Sequence, residues 1–244
     1  MADMADTLSA SLDVFADPIC PWCFIGKRNL EKALATYEGP PVQARVQWRA
    51  FMLNPGMPPE GMDRRAYLEA KFGGPENAQA VYGRIRQAGL AAGIDFDFDG
   101  IGRTPSTRPA HRAVRHVQVT QGMAAAEAYM EALFKAYFYD GKDIGQVEVL
   151  LELARGAGLE EGALWSMFET DAHIEEINAE DVQAREMGMG GVPGFILNRK
   201  YFLSGAQPAA AFHKLFDLIL SQDDPAEPGG PAGSAEPGER PGAA

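Results

Sequence analysis

Cysteine is nearly absent from this sequence, with two in 244 residues. So few cannot build a disulfide framework, and the core must be held by apolar packing. Long hydrophobic runs are also lacking. No stretch approaches the roughly 18 apolar residues that a membrane span requires, so no membrane partner is expected. Positive charge is scarce: 22 Lys and Arg stand against 34 Asp and Glu, a formal net charge of −12. A chain of that balance is a poor partner for nucleic acid or anionic lipid. The segment Met1 to Asp6 carries two Asp and no Lys or Arg, unlike the basic start of a secretory leader. The expectation is a cytoplasmic protein.

What is present is the composition of a folded chain, 46% hydrophobic and 23% charged. Its length suits one domain, or one domain with a large insertion. The stretch from Asp223 to Ala244 differs in kind. It holds five Pro, five Gly, five acidic residues and one Arg, with no apolar side chain larger than Ala. Such a segment cannot bury enough surface to offset its ordering entropy, and reads as a disordered acidic tail over 223–244. The body opens with a strand-like run, Ser11 to Ala16, then a helix from Pro21 to Tyr37, then a second strand from Val42 to Leu53. Apolar stripes at helical spacing fill the middle, as in Met130, Leu133, Phe134, Tyr137 and Phe138. A helix from His173 to Met187 follows, then two short strands (Gly194 to Asn198 and Tyr201 to Ser204), and a last helix carrying Phe212, Leu215, Phe216 and Ile219. The pattern β-α-β, a helical block, then α-β-β-α predicts an α/β thioredoxin fold with a large helical insertion.

The two cysteines are Cys20 and Cys23, in Cys20-Pro21-Trp22-Cys23. Cys20 falls where a strand-like run ends and a helix begins, and Pro21 takes a first-turn position that tolerates a missing N–H. Unpaired N–H groups and the positive end of the helix dipole would then face the Cys20 sulfur. Cys23, one turn later, can attack a mixed disulfide on Cys20. Together they supply a nucleophile and a resolving thiol, the minimum for dithiol–disulfide exchange. Three other readings compete. Two buried structural thiols would need no neighbouring signal. A zinc site would draw on His111 and His116, but 87 residues separate that pair from Cys23, so no metal is expected. A static disulfide is hard to keep oxidised in a reducing compartment. Pro193, in Gly191-Val192-Pro193-Gly194 before a strand, is the candidate for a cis-proline loop opposite the cysteines.

With these residues the chain resembles the DsbA-like thioredoxin superfamily. More narrowly it is similar to the FrnE-type branch of dithiol–disulfide isomerases, related to 2-hydroxychromene-2-carboxylate isomerases and kappa-class glutathione transferases. The resemblance runs from about Leu12 to Leu220. It is carried by Asp17-Pro18-Ile19-Cys20-Pro21-Trp22-Cys23-Phe24-Ile25-Gly26, Trp48 to Pro55, Ala110-His111-Arg112, Ala136-Tyr137-Phe138, Gly191-Val192-Pro193 and Ser204-Gly205-Ala206-Gln207.

The resemblance implies a thioredoxin-like domain from 11–56 and 173–222, a helical domain inserted over 57–172, and an N-terminal extension at 1–10. It casts Cys20 as the attacking thiol, Cys23 as the resolving thiol and Pro193 as the cis-proline. Val192 would offer its backbone to an extended substrate. Ser106, Thr107, His111 and Arg112 would line the cleft. Otherwise His111 and Arg112 belong to a solvated cationic face with Arg108, Arg115 and His116. Gly194, where relatives often carry a larger residue, would widen the groove. Trp22 would offer an exposed apolar contact to partner proteins, and since indole cannot ionise, a milder oxidant than the periplasmic DsbA proteins is expected. Met187-Gly188-Met189 is read mainly as core. The implied activity is thiol–disulfide exchange with protein substrates. No bound cofactor is implied; glutathione enters as co-substrate or recycling partner, and a reductant or oxidant outside the chain resets the pair. Two alternatives stand beside it: a glutathione-dependent isomerase or transferase on a small aromatic, and a non-catalytic holder of unfolded chains.

Overall fold

A computed structural model describes residues 7–223. Of the extension expected over 1–10 and the disordered tail expected over 223–244, residues 1–6 and 224–244 lie outside the described residues, whereas Leu8–Ala10 belong to the first strand and Asp223 ends the last helix. In chain order the elements are β1 (Leu8–Ala16), α1 (Pro21–Thr36), β2 (Val42–Ala50), β3 (Met62–Asp63), α2 (Arg64–Phe72), α3 (Pro75–Ala91), β4 (Arg103–Thr104), α4 (Arg108–Gln121), α5 (Met123–Phe138), α6 (Val147–Gly156), α7 (Glu161–Phe168), α8 (Ile174–Glu186), β5 (Gly194–Leu197), β6 (Tyr201–Ser204) and α9 (Ala209–Asp223). The main sheet has the order β2-β1-β5-β6. β1 runs parallel to β2 and antiparallel to β5, and β6 closes the sheet antiparallel to β5. A thioredoxin fold with helices inserted between β2 and β5 is therefore in place.

β1 starts at Leu8, three residues before the expected Ser11, because Leu8 already pairs with Val42. Its alternation supports this: Leu8, Ala10, Leu12 and Val14 are all buried. β2 ends at Ala50, short of the expected Leu53, because its last amides leave the ladder. Phe51 N–H still donates to Ala16 (3.2 Å), whereas Met52 N–H donates to Asp181 Oδ1 (2.8 Å) and Leu53 N–H to Asp17 Oδ2 (2.7 Å). The same device seals the outer edge of β2. Trp48 N–H donates to Gln118 Oε1 (2.9 Å) and Ala50 N–H to Glu180 Oε2 (2.8 Å), so α4 and α8 supply the acceptors that a neighbouring strand would. These two capped amides blunt the end of that edge as a template for another chain.

The helical insert has no core of its own. One continuous cluster joins sheet residues such as Leu12 and Val14 to Phe134, Phe138 and Leu150 of the insert. α1 sits at this junction. Its Phe24 stacks on Phe134 (centroids 5.0 Å apart, planes 7° apart) and packs against Phe96 and Phe138. Beside Phe24, Lys27 is buried and its Nζ reaches Glu127 (2.9 Å), Glu131 (3.0 Å) and Glu31. Removing such a buried ammonium's partners would strand its charge, so this contact fixes the helix rather than merely decorating it. The short α2 and α7 and the β3–β4 pair escaped the sequence reading: Gly and Pro flank α2 and the β3–β4 pair, and α7 is only eight residues long with Gly162 in its first turn. Among the described residues no helix is long and apolar enough to cross a membrane.

Candidate active site

The strand β1 delivers its chain to Asp17, and a turn closed by Cys20 N–H to the Asp17 carbonyl (2.9 Å) places Cys20 at the N-cap of α1. Cys20 has extended backbone dihedrals (φ −90°, ψ 113°), and its carbonyl accepts from the Cys23 amide at 3.0 Å. Pro21 begins the helix and brings no N–H, and the Trp22 amide has no acceptor within the helix. The Cys20 sulfur thus sits at the positive end of a 16-residue helix. Its thiol donates to the Val192 carbonyl at 3.6 Å. Both cysteines are free thiols and buried, while Trp22 between them is 40% exposed.

The Val192–Pro193 peptide is cis. Three contacts hold the loop, one to the turn after β6 and two that bring this region against α1. Gly205 N–H donates to the Pro193 carbonyl (2.8 Å), and Asn29 of α1 donates to the Ala206 carbonyl (3.3 Å). Gly26 provides the third, because a Cβ there would lie 2.8 Å from Pro193 Cγ and 3.1 Å from Phe195 Cζ. Only a glycine lets the helix come that close. Gly194 does not widen the groove as expected: a Cβ there would fall 2.7 Å from the sulfur of Met189, which occupies the room. The Met187–Met189 stretch divides accordingly, with Met189 buried and Met187 51% exposed.

Beneath the cysteines lies a polar group that sequence reasoning took only for a strand stop. Asp17 is completely buried. Its Oδ1 accepts from Ile19 N–H (3.2 Å), and its Oδ2 from Leu53 N–H (2.7 Å) and Thr107 Oγ1 (3.4 Å). Burial outweighs these hydrogen bonds and pushes its carboxyl up to about 7. Cys23 is pushed well above the ordinary thiol value, first by burial, then by the neighbouring Cys20 and by the charge of Asp17, against a backbone hydrogen bond from Asp17. The signal that could have marked Asp17 is its place three residues before Cys20, at the end of a central strand.

His111 is neither on a solvated face nor in an open cleft. It is buried with Nε2 4.0 Å from Asp17 Oδ1, and burial pushes it down to about 4. Thr107 is buried with its hydroxyl on Asp17, and Ser106 is buried beside it. Arg112 turns the other way. Its guanidinium donates to the carbonyls of Ala172 (2.9 Å) and Met167 (3.0 Å), so it ties α4 to the end of α7 instead of lining the site or facing solvent. Among the described residues no group of three or more His, Cys, Asp or Glu could hold a metal ion.

A model of the DSBA-like thioredoxin domain matches residues 11–217. The chain belongs to the DsbA-like thioredoxin family. That family comprises disulfide oxidoreductases and isomerases, which places this chain in the oxidoreductase class. A probable DsbA oxidoreductase from Streptomyces coelicolor is 31% identical, with a TM-score of 0.77 over 94% of this chain and all of that one. The cytosolic disulfide reductase DsbM from Pseudomonas aeruginosa, in a structure with GSH, shares the fold at 22% identity (TM-score 0.62, 86% of this chain and 99% of that one). The uncharacterised protein YwbO of Bacillus subtilis is 24% identical over 88% of this chain and 98% of its own length. The Cys20–Cys23 pair, the cis-proline loop and the helical insert all meet at α1, through its N-cap, Gly26 and Phe24 respectively.

Proposed function

We propose that the protein is a cytoplasmic thiol–disulfide oxidoreductase and isomerase that exchanges disulfides with protein substrates through Cys20 and Cys23. The observation that carries this reading is the position of the Cys20 sulfur, at the N-terminus of α1 and 3.6 Å from the carbonyl that precedes the cis-proline. There an incoming disulfide would meet a nucleophile backed by helix N–H groups, beside the Val192 backbone with which an extended peptide would pair.

In the reducing direction the Cys20 thiolate attacks one sulfur of the substrate disulfide. The S–S bond breaks, a Cys20–substrate mixed disulfide forms, and the other substrate sulfur leaves as thiolate. Cys23 then loses its proton and attacks the Cys20 sulfur, which releases the second substrate thiolate and leaves the Cys20–Cys23 disulfide. The substrate gains two electrons and the protein loses two. Burial makes the Cys23 proton costly to remove, and the Asp17 carboxylate, with its value raised to about 7, is the group beside it able to accept it. Run backwards, the same steps oxidise a dithiol, and isomerisation results when substrate thiols resolve the mixed disulfide. Glutathione is the recycling thiol in this proposal, supported by its presence in the DsbM structure. The cytoplasmic assignment draws on the same relative, described as cytosolic.

Insulin reduction tests the reading. Wild type is expected to accelerate precipitation of the insulin B chain, and Cys20→Ser to be inactive. Equal rates for the two proteins would refute it.

A further inference from the structure

In the helical insert, α2, α3 and the segment before β4 enclose an open groove of about 750 Å³, within the range of small-molecule sites. None of its lining residues comes from the main sheet or from α1. Its walls are apolar in Leu68, Pro75, Ala78, Phe98 and Ile101.

Arg64 also lines the groove and is more than nine-tenths buried. Its Nη1 donates to Tyr137 Oη (3.0 Å) and Thr104 Oγ1 (3.4 Å), and its Nη2 to Tyr82 Oη (2.8 Å), while Nε has no partner. Every one of these acceptors is a neutral hydroxyl. Among the described residues no carboxylate forms an ion pair with Arg64, although the neighbouring cations are matched: Arg65 with Glu69 (2.9 Å) and Arg86 with Asp99 (2.5 Å). The nearby Asp63 is engaged as the cap of α2, accepting from Ala66 N–H at 2.9 Å. A buried guanidinium without a counter-charge is costly, and among the described residues no side chain supplies one.

We propose that this groove binds a small organic monocarboxylate with an apolar or aromatic body, its carboxylate pairing with Arg64 and its body lying along Phe98 and Ile101. Arg forms a planar donor fork suited to a carboxylate. A single unmatched cation calls for a single negative charge, and the flanking Asp63, Glu69 and Asp99 disfavour a dianion such as phosphate. No lining residue belongs to the helix that carries Cys20 and Cys23, and the proposal does not depend on the redox reading.

The probe is 3-phenylpropionate, titrated calorimetrically into the full-length protein, with its uncharged twin 3-phenylpropan-1-ol and inorganic phosphate as comparisons. Saturable one-to-one binding with a Kd below about 1 mM is expected, at least tenfold weaker for the alcohol and for phosphate. Arg64→Gln is expected to weaken it at least tenfold. Should that variant fail to fold, Gly83→Phe decides, because Gly83 lines the groove and a Cβ there meets nothing within 4 Å. It is expected to fold as wild type does and to lose binding. Cys20→Ser is expected to bind like wild type. No saturation by about 10 mM, equal binding of the alcohol, tighter binding of phosphate, or undiminished binding by Gly83→Phe would each overturn the proposal.

Discussion

Nε2 of His111 stands 4.0 Å from Oδ1 of Asp17, with both side chains shut off from solvent, yet the two do not form an ion pair. Burial keeps His111 neutral down to about pH 4 and keeps Asp17 protonated up to about pH 7. Between those values both are neutral; above them only Asp17 is charged, and below them only His111. The pair beneath the cysteines therefore carries one charge at most.

These two groups act on stability with opposite sign. Asp17 has a folded value above its ordinary 3.8, so the folded state holds the extra proton between about 4 and 7, and stability falls as pH rises through that window. His111 has a folded value below its ordinary 6.5, so the unfolded state holds the extra proton between about 4 and 6.5, and stability falls as pH drops. In wild type the two largely cancel below pH 6.5. Asp17→Asn is expected to unmask the histidine, losing about 3 kcal/mol between pH 6.5 and 4 in urea denaturation. Identical profiles for wild type and variant would refute the assignment.

The same variant tests the proton path. If the Asp17 carboxylate accepts the Cys23 proton, Asp17→Asn slows resolution of a Cys20 mixed disulfide by at least about tenfold while leaving its formation unchanged. Stopped-flow measurements of the two phases separate the steps.

Gly26→Ala is expected to destabilise the fold by about 1–2 kcal/mol, although alanine ordinarily favours a helix. The added methyl meets Pro193 and the fully buried Phe195, neither of which can give way. Because the clash lies on the cis-proline loop, insulin reduction should fall with it. A more stable, fully active variant would contradict the close approach.

Asp181→Ala removes the acceptor of the Met52 amide just beyond β2 and frees Arg185, which the carboxylate holds at 3.0 Å. A buried N–H is left unpaired, at an expected cost of about 1–3 kcal/mol in chemical denaturation.

Much of this was legible in the sequence, and the reasons differ by residue. The Cys20–Cys23 spacing at a strand-to-helix junction and the Val-Pro dipeptide before a strand are local signals, so the fold, the placement of the cysteines at the start of α1 and the cis-proline could be read directly. Asp17 could not be. Asp-Pro is an ordinary turn, and what makes this carboxyl unusual is the Leu53 amide and the Thr107 hydroxyl arriving from far along the chain. Arg112 and His111 failed for a related reason. A helix with many cations looks solvated, but the carbonyls at the end of α7 take the guanidinium, and the imidazole is covered beside Asp17. Arg64 carries no local signature either, since what sets it apart is the lack of a carboxylate partner among the described residues.

Trp22 sets an expectation for the redox poise. An indole between the cysteines offers no ionisable group to stabilise a Cys20 thiolate, so the reduction potential in glutathione buffers should be more negative than roughly −120 mV. Trp22→His should shift it to a less negative value.

The central claim, that Cys20 attacks and Cys23 resolves, is tested most directly by trapping. After brief exposure to oxidised glutathione, intact-mass spectrometry of Cys23→Ser should show one glutathionyl group, which peptide mapping places on Cys20. Wild type should instead show the loss of two hydrogens as its internal disulfide closes. Glutathionylation of Cys23 in Cys20→Ser at the same rate, or no internal disulfide in wild type, would contradict the account.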